Sequence, residues 1–323
     1  MRFFTSLLML LPVVAQTPVV NSAASVKKTW TLPRTPDDHP DLQGIWTNAT
    51  ITTMERPADL KDKPTLLEKD AVAYETRVDT AFNADRHGAT PEQDRDQAYN
   101  RLFLDRGDKL ARVDGVARTS LIVDPPDGHL PALTDEAKKR NAGRFRNSYD
   151  SVKDRPLGER CLLGFGSTSG PPMLPVLYNN NYQIVQTPGA IMILVEMVHD
   201  VRIVRMDAQH LPPTIRKWMG DSIGHWEGDT LVVDTANFTE KTRFRGSSGN
   251  LHIVERFKRT DGDTILYRAT VDDPTTFTTP WTLEYPFLAT PGPIFEYACH
   301  EGNYAMPDIL GGARQMEKEP TKQ

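Results

Sequence analysis

The sequence predicts a mainly β protein, α+β overall, in which an antiparallel up-and-down meander of about eight strands closes into a small barrel with a few N-terminal helices packed outside. Three observations carry that expectation. From residue 182 onward, runs rich in β-branched residues (YQIVQT, AIMILVEM, RIVRM) alternate with turn residues at close spacing. The strings Glu227-Gly-Asp-Thr-Leu-Val-Val and Asp261-Gly-Asp-Thr-Ile-Leu-Tyr repeat one device, a tight Gly-Asp turn feeding a strand, which predicts consecutive hairpins. Adding LHIVERFKRT and WTLEYPF brings the count to about eight, the number that closes a barrel able to hold one ligand. An open twisted sheet or a two-sheet sandwich satisfies the same spacing.

The N-terminal MRFFTSLLMLLPVVAQ sets Arg2 before an apolar stretch from Phe3 to Ala15. That is the layout of a secretory signal peptide within residues 1–24, cleaved after Ala15 or Ala24, and it is too short to span a bilayer. Residues 25–323 are then expected as one domain. DLQGIWTNATITTM (Asp41 to Met54) predicts a first strand entered through Gly44, at a sheet edge or barrel opening. Helix starts follow at Thr65 with Glu68 and at Thr90-Pro91 with Gln93, both as capping boxes, and at Thr134 with Ala137 as a plain cap, so residues from about 60 to 150 form the helical part. Between the last two, Arg118 to Pro131 predicts a strand and a Pro-Asp-Gly turn. Residues 154–181, including GFGSTSGPPMLP, form a long loop of the kind that often carries function. No Gly-Lys-Ser/Thr and no helix start follow its glycines, so it is no phosphate cradle. AIMILVEM, apolar on both faces, requires a cover on its outer side, and the N-terminal helices are the candidate.

A net charge of −5 over 323 residues argues against a nucleic-acid partner, which calls for a clustered basic excess. With no long apolar segment after the signal, the mature protein is expected to be soluble, not membrane-inserted, and periplasmic or secreted. In an oxidising compartment the two cysteines, Cys161 and Cys299, pair most simply with each other. The rival is a Cys299 nucleophile helped by His300, although neighbours on a strand point to opposite faces.

The string GDSIGHWEGDTLVVDTANF (Gly220 to Phe238), with LHIVERF, DDPTTFTTPWT and EYACHEGNY after it, resembles a large family of exported bacterial proteins usually labelled hypothetical, over roughly residues 40–315. The resemblance implies export and a β-rich architecture and transfers no catalytic residues. DLQGIW is also similar to the Gly-x-Trp opening of lipocalin-like barrels, which implies a carrier.

Among residues that can carry chemistry, Glu255 is the odd one on LHIVERFKRT. It shares a face with Leu251, Ile253 and Phe257, where it is either an acid of raised pKa or the partner of an arginine across the sheet. His252 lies on the opposite face. His225 and Glu227, two apart, can present two metal ligands or an acid/base pair, with Trp226 between them as core packing or a stacking platform. The densest polar cluster runs from Glu296 to Tyr304. A bridge from Cys299 to Cys161 would bring His300, Glu301, Tyr297 and Tyr304 toward Arg160. A cation for an anionic group, an imidazole or phenol as base and a carboxylate as orienter suit proton abstraction beside a carbonyl. His39, His87, His129 and His210 fall in loops, and His199-Asp200 in a turn. No Gly-x-Ser-x-Gly elbow, dinucleotide fingerprint or HxxxH, CxxC or HxH motif is present, so no cofactor and no metal is expected. The functional expectation is an exported enzyme doing metal-independent acid/base chemistry of lyase, isomerase or hydrolase type on a small organic or sugar-derived molecule. His300 or His252 would be the base, Glu301 or Glu255 the acid or orienter, and Arg160 the anion holder. The alternative is a lipocalin-like carrier of a small hydrophobic ligand, with Trp46, Trp226 and Trp281 as contacts.

Overall fold

The computed structural model describes residues 30–83, 90–91, 104–143, 147–164 and 170–318. The chain divides into two units, Met1–Thr31 and Leu32–Gln323, and the second carries every element below. The signal segment, the body of the helix expected from Thr90, and loop residues 165–169 lie outside the described residues.

The first half supplies β1 (Gly44–Thr47), β2 (Thr65–Leu66), α1 (Glu68–Asn83), β3 (Arg112–Val113), β4 (Val116–Arg118), β5 (Ile122–Asp124) and α2 (Asp135–Ala142). The second supplies β6 (Asn181–Thr187), β7 (Ala190–Val195), β8 (Val201–Met206), β9 (Asp221–Glu227), β10 (Thr230–Ala236), β11 (His252–Arg259), β12 (Thr264–Asp272), β13 (Trp281–Ala289) and α3 (Ala305–Lys318). β6 to β13 follow one another in the sheet, and β1 closes it by pairing with β6 (Trp46↔Tyr182) and with β13 (Trp46↔Ala289). Nine strands therefore form a closed barrel, with β5 added outside β13. The pairs are antiparallel except β8 and β9, which run parallel (Val204↔Ser222) because residues 207–220 carry the chain back to the end where β8 began.

Alternation decides which side chains enter the barrel. On β12, Ile265, Tyr267, Ala269 and Val271 are buried; on β13, Trp281, Leu283, Tyr285 and Phe287 are buried. Rings fill the interior: Tyr267 and Phe287 centroids lie 4.8 Å apart, Phe257 and Tyr267 5.1 Å, Tyr182 and Phe287 5.5 Å. Among them sits an ion pair, Glu255 of β11 and Arg202 of β8, with side chains 0% and 1% exposed and bidentate contacts of 2.5 and 3.1 Å. Tyr267 donates its hydroxyl proton to Glu255 at 2.8 Å, and Asn48 donates to Tyr182 and Tyr285 at 3.2 and 3.1 Å. Burial works to lower the Arg202 guanidinium, but the charge and hydrogen bonds of Glu255 outweigh it and hold the cation. Of the two readings of Glu255, the structure shows the arginine partner.

Trp46 and Trp281 are both core residues, and Arg259 stacks over the Trp46 ring at 5.4 Å. Trp226 packs at the core's margin with its ring 5.0 Å from His39. The helix expected near Thr65 begins at Glu68. Thr65 is not its cap, because it pairs with Arg118 in the small β2–β4–β3 sheet. α1 is tied to that sheet by Glu75, which accepts from the Leu110 amide and from Arg112. The expected cap of α2 is present: Thr134 Oγ1 accepts from the Ala137 amide at 3.1 Å. The outer side of β7 is not fully covered, since Met192 and its β8 neighbours Val201 and Ile203 are exposed. No helix among the described residues is long and apolar enough to cross a membrane.

Candidate anion-binding cleft

Strand direction gathers several loops at one end of the barrel. β1, β7, β10 and β12 finish there, while β6, β8, β9, β11 and β13 begin there. The chain ahead of β6, the end of the 207–220 crossover and the β10–β11 loop therefore meet at this mouth. The mouth is plugged by the tail of the Gly/Pro-rich loop. Met173 donates its backbone N–H to the Tyr267 hydroxyl at 3.0 Å, and its carbonyl accepts from Tyr285. Gly170 is required behind it: its φ is +71°, and a Cβ would fall 2.8 Å from Met173 and 3.1 Å from the Arg202 guanidinium.

Beside the plug lies a cleft of about 980 Å³. One wall comes from residues 147–164 and the other from residues 241–245, with Trp218 in the lining. Six cations line it, Lys153, Arg155, Arg160, Lys241, Arg243 and Arg245, against one carboxylate, Asp154. Arg155 is already engaged, bidentate to Glu159 and stacked 4.7 Å over Tyr149. The other five make no ion pair with the described residues. In a chain of net charge −5, this concentration is local and does not reflect a basic surface.

Each wall is held firmly. Phe244 is buried against Trp281, ring centroids 6.0 Å apart, and the arginines on either side of it adopt left-handed backbone, φ +47° at Arg243 and +50° at Arg245. Such conformations cost a branched-Cβ-free but non-glycine residue on the order of 1–3 kcal/mol each and concentrate at ligand clamps. Here they leave both guanidinium groups exposed while the intervening ring anchors the turn. Asp273, fully buried, fixes the loop behind: it accepts from the Ser248 amide at 2.7 Å and from the Thr275 and Thr276 hydroxyls, each at 2.7 Å. Burial works to raise its carboxyl, and these bonds outweigh burial and lower it. Arg216 donates to the carbonyls of Phe238 and Gly249, and Thr242 to that of Trp218, which ties the crossover to the loop. The other wall is braced by the Cys161–Cys299 disulfide and by Arg314 of α3, which donates to the carbonyls of Tyr149 and Asp150.

A second polar cluster lies on β9, β10 and β11. Asp234 Oδ1 meets His252 Nε2 and His210 Nε2, each at 2.9 Å, and His210 Nδ1 meets Asp221 at 3.2 Å. Asp221 also accepts from the Leu211 amide, Arg205 and Lys217, so the crossover is latched to the sheet at this point. Burial works to raise Asp221, but these donors outweigh it and bring the carboxyl to about 2. The Asp234 hydrogen bond raises His252 above its ordinary value against partial burial.

The sign of the pH dependence follows. Asp221, lowered from 3.8 to about 2, contributes stability above about pH 4 that is lost as pH falls toward 2, worth about 2 kcal/mol for a side chain only 1% exposed. His252, raised from 6.5, contributes stability below about 6.5 that is lost as pH climbs through its raised value. Thermal melts taken from pH 2 to 9 should peak between about pH 4 and 6.5, and Asp221→Asn should flatten the acid side. An acid side unchanged in that variant would refute the assignment.

Of the residues singled out from sequence, Arg160 lines the cleft and donates to the Lys153 carbonyl. His300, Glu301 and Tyr304 are exposed, and among the described residues no hydrogen bond or ion pair joins them to Arg160, although the disulfide is formed. Tyr297 stacks on Tyr178 at 6.5 Å. His225 and Glu227 do meet, at 3.2 Å on an exposed face, where Glu227 also holds Arg256 at 2.7 Å. Glu255 is enclosed in the barrel. His252 is 42% exposed on its Asp234 anchor. Sequence reasoning missed Asp234 and His210, and it missed the cationic run Lys241-Thr-Arg-Phe-Arg245, whose two arginines around an aromatic were the available signal.

The fold and site define a closed nine-stranded barrel with a cationic cleft outside its plugged mouth. No family model matches the chain, and comparison with curated proteins and with solved structures gave no match.

Proposed function

We propose that this is an exported protein that binds a small organic anion in the cationic cleft at the barrel mouth. One observation carries the reading: five cations from two chain segments face one cleft without a carboxylate partner among the described residues. Unpaired like charges repel one another, and holding two arginines in left-handed backbone adds strain; an anion between them offsets both. The sequence layout of the N-terminus and the disulfide support export. An apolar ligand inside the barrel finds less support, because rings and the Arg202–Glu255 pair fill that space.

Titration calorimetry with small carboxylates and phosphorylated sugars should give saturable binding that weakens from about 0.05 to 0.5 M salt. Arg245→Gly relieves the backbone and removes the charge, so it should leave stability unchanged or raise it by up to about 1 kcal/mol while lowering affinity about tenfold or more. Affinity equal to that of the parent protein would defeat the reading. A second reading, metal-independent acid/base chemistry on a small organic molecule at the separate His252–Asp234 cluster, is favoured by the half-exposed His252 held through Nε2 by Asp234, which leaves Nδ1 to take a proton. It requires turnover that His252→Ala abolishes while anion binding in the cleft is unchanged.

A further inference from the structure

We propose that the ligand of the cleft carries at least two separated anionic groups and bridges the two cationic walls. The inference rests on the anion-binding reading and adds the ligand class. Lys153 and Arg160 belong to one wall, and Lys241, Arg243 and Arg245 to the other. The walls are fixed independently. The first hangs on the Cys161–Cys299 bridge and Arg314, and the second on Phe244 in the core and Asp273 beneath the loop. Asp154 is the one acid in the lining, and it accepts from Ser151 at 2.6 Å, while Glu159 behind the first wall is taken by Arg155. A monoanion seated on one wall leaves the opposite cations uncompensated. A dianion or polyanion satisfies both walls at once, and its second contact is intramolecular, so affinity rises beyond that of either group alone. A cleft of about 980 Å³ exceeds what a single carboxylate or phosphate fills, and Trp218 in the lining offers a flat apolar surface for the carbon frame between the charges.

Calorimetric titration of the full chain with matched probes tests this: glutarate and adipate against butyrate and hexanoate, and fructose 1,6-bisphosphate against fructose 6-phosphate. At least one probe with two anionic groups should bind about tenfold or more tighter than its match with one. Arg160→Ala on one wall and Arg245→Ala on the other should each erase that advantage while leaving the melting temperature within a degree or two, as expected for substitutions of partly or fully exposed side chains. Equal affinity within every matched pair, or an advantage sensitive to one wall alone, overturns the bridging ligand and leaves anion binding standing. Binding by none of the probes overturns both.

Discussion

Replacing Glu255 with alanine should destabilise the protein by about 3–5 kcal/mol and lower its melting temperature by about 10 °C. The cause is what remains behind. Arg202 is 2% exposed as a residue and reaches Glu255 through both terminal nitrogens; once the carboxylate is gone, its charge is buried with no opposite charge beside it. The Tyr267 hydroxyl loses its acceptor at the same time. Glu255→Gln keeps the shape and an acceptor for Tyr267 but not the charge, so most of the loss should persist. Converting both partners to apolar residues of similar size, Arg202→Met with Glu255→Leu, removes the cost of burying charge and should recover most of it. The double-mutant cycle then yields a coupling of several kcal/mol. Anion binding should be unaffected in any variant that folds. A loss below about 1 kcal/mol for Glu255→Ala would show that the barrel interior admits water to Arg202.

That pair also marks what sequence shows and what it hides. Glu255 stands out because β-strand alternation places it among Ile253 and Phe257, and Arg202 breaks the pattern of RIVRM in the same way. Period-two patterning is local, so it survives in one dimension, as do the Gly-Asp turns that join β9 to β10 and precede β12. Which odd residue meets which is a matter of strand order and register, and neither is local. The same limit applies to closure, where β1 pairs with both β6 and β13, and to the parallel β8–β9 pair, whose crossover carries no periodicity. α3 is hidden for another reason. Pro307, Gly311 and Gly312 lower its intrinsic helix propensity, although a proline in the first turn sacrifices no intrahelical bond. The cleft is the least legible feature. Its cations come from segments about ninety residues apart in sequence, and each looks like an ordinary solvated charge until the fold opposes them.

Reducing the Cys161–Cys299 bond, or replacing both cysteines with serine, should lower stability by up to about 5 kcal/mol. The bridge spans 138 residues that include every strand from β6 to β13, so without it the unfolded chain regains much loop freedom. The effect on the cleft should be separable from the effect on stability. Cys161 closes the segment bearing Lys153 and Arg160, and the C-terminal chain that holds it reaches that segment otherwise through Arg314 and the Asn303 contact at Cys161. Reduction at a temperature well below the melt should therefore loosen one cationic wall while the wall anchored by Phe244 stays in place. Affinity for a probe with two anionic groups should fall toward that of its match with one, and the Arg160→Ala variant, which lacks that contact already, should respond to reduction much less. Full affinity in the reduced protein would mean that Arg314 and the packing of residues 147–164 hold the wall without the bond. A melting temperature unmoved by reduction would show in addition that the bond adds nothing to stability.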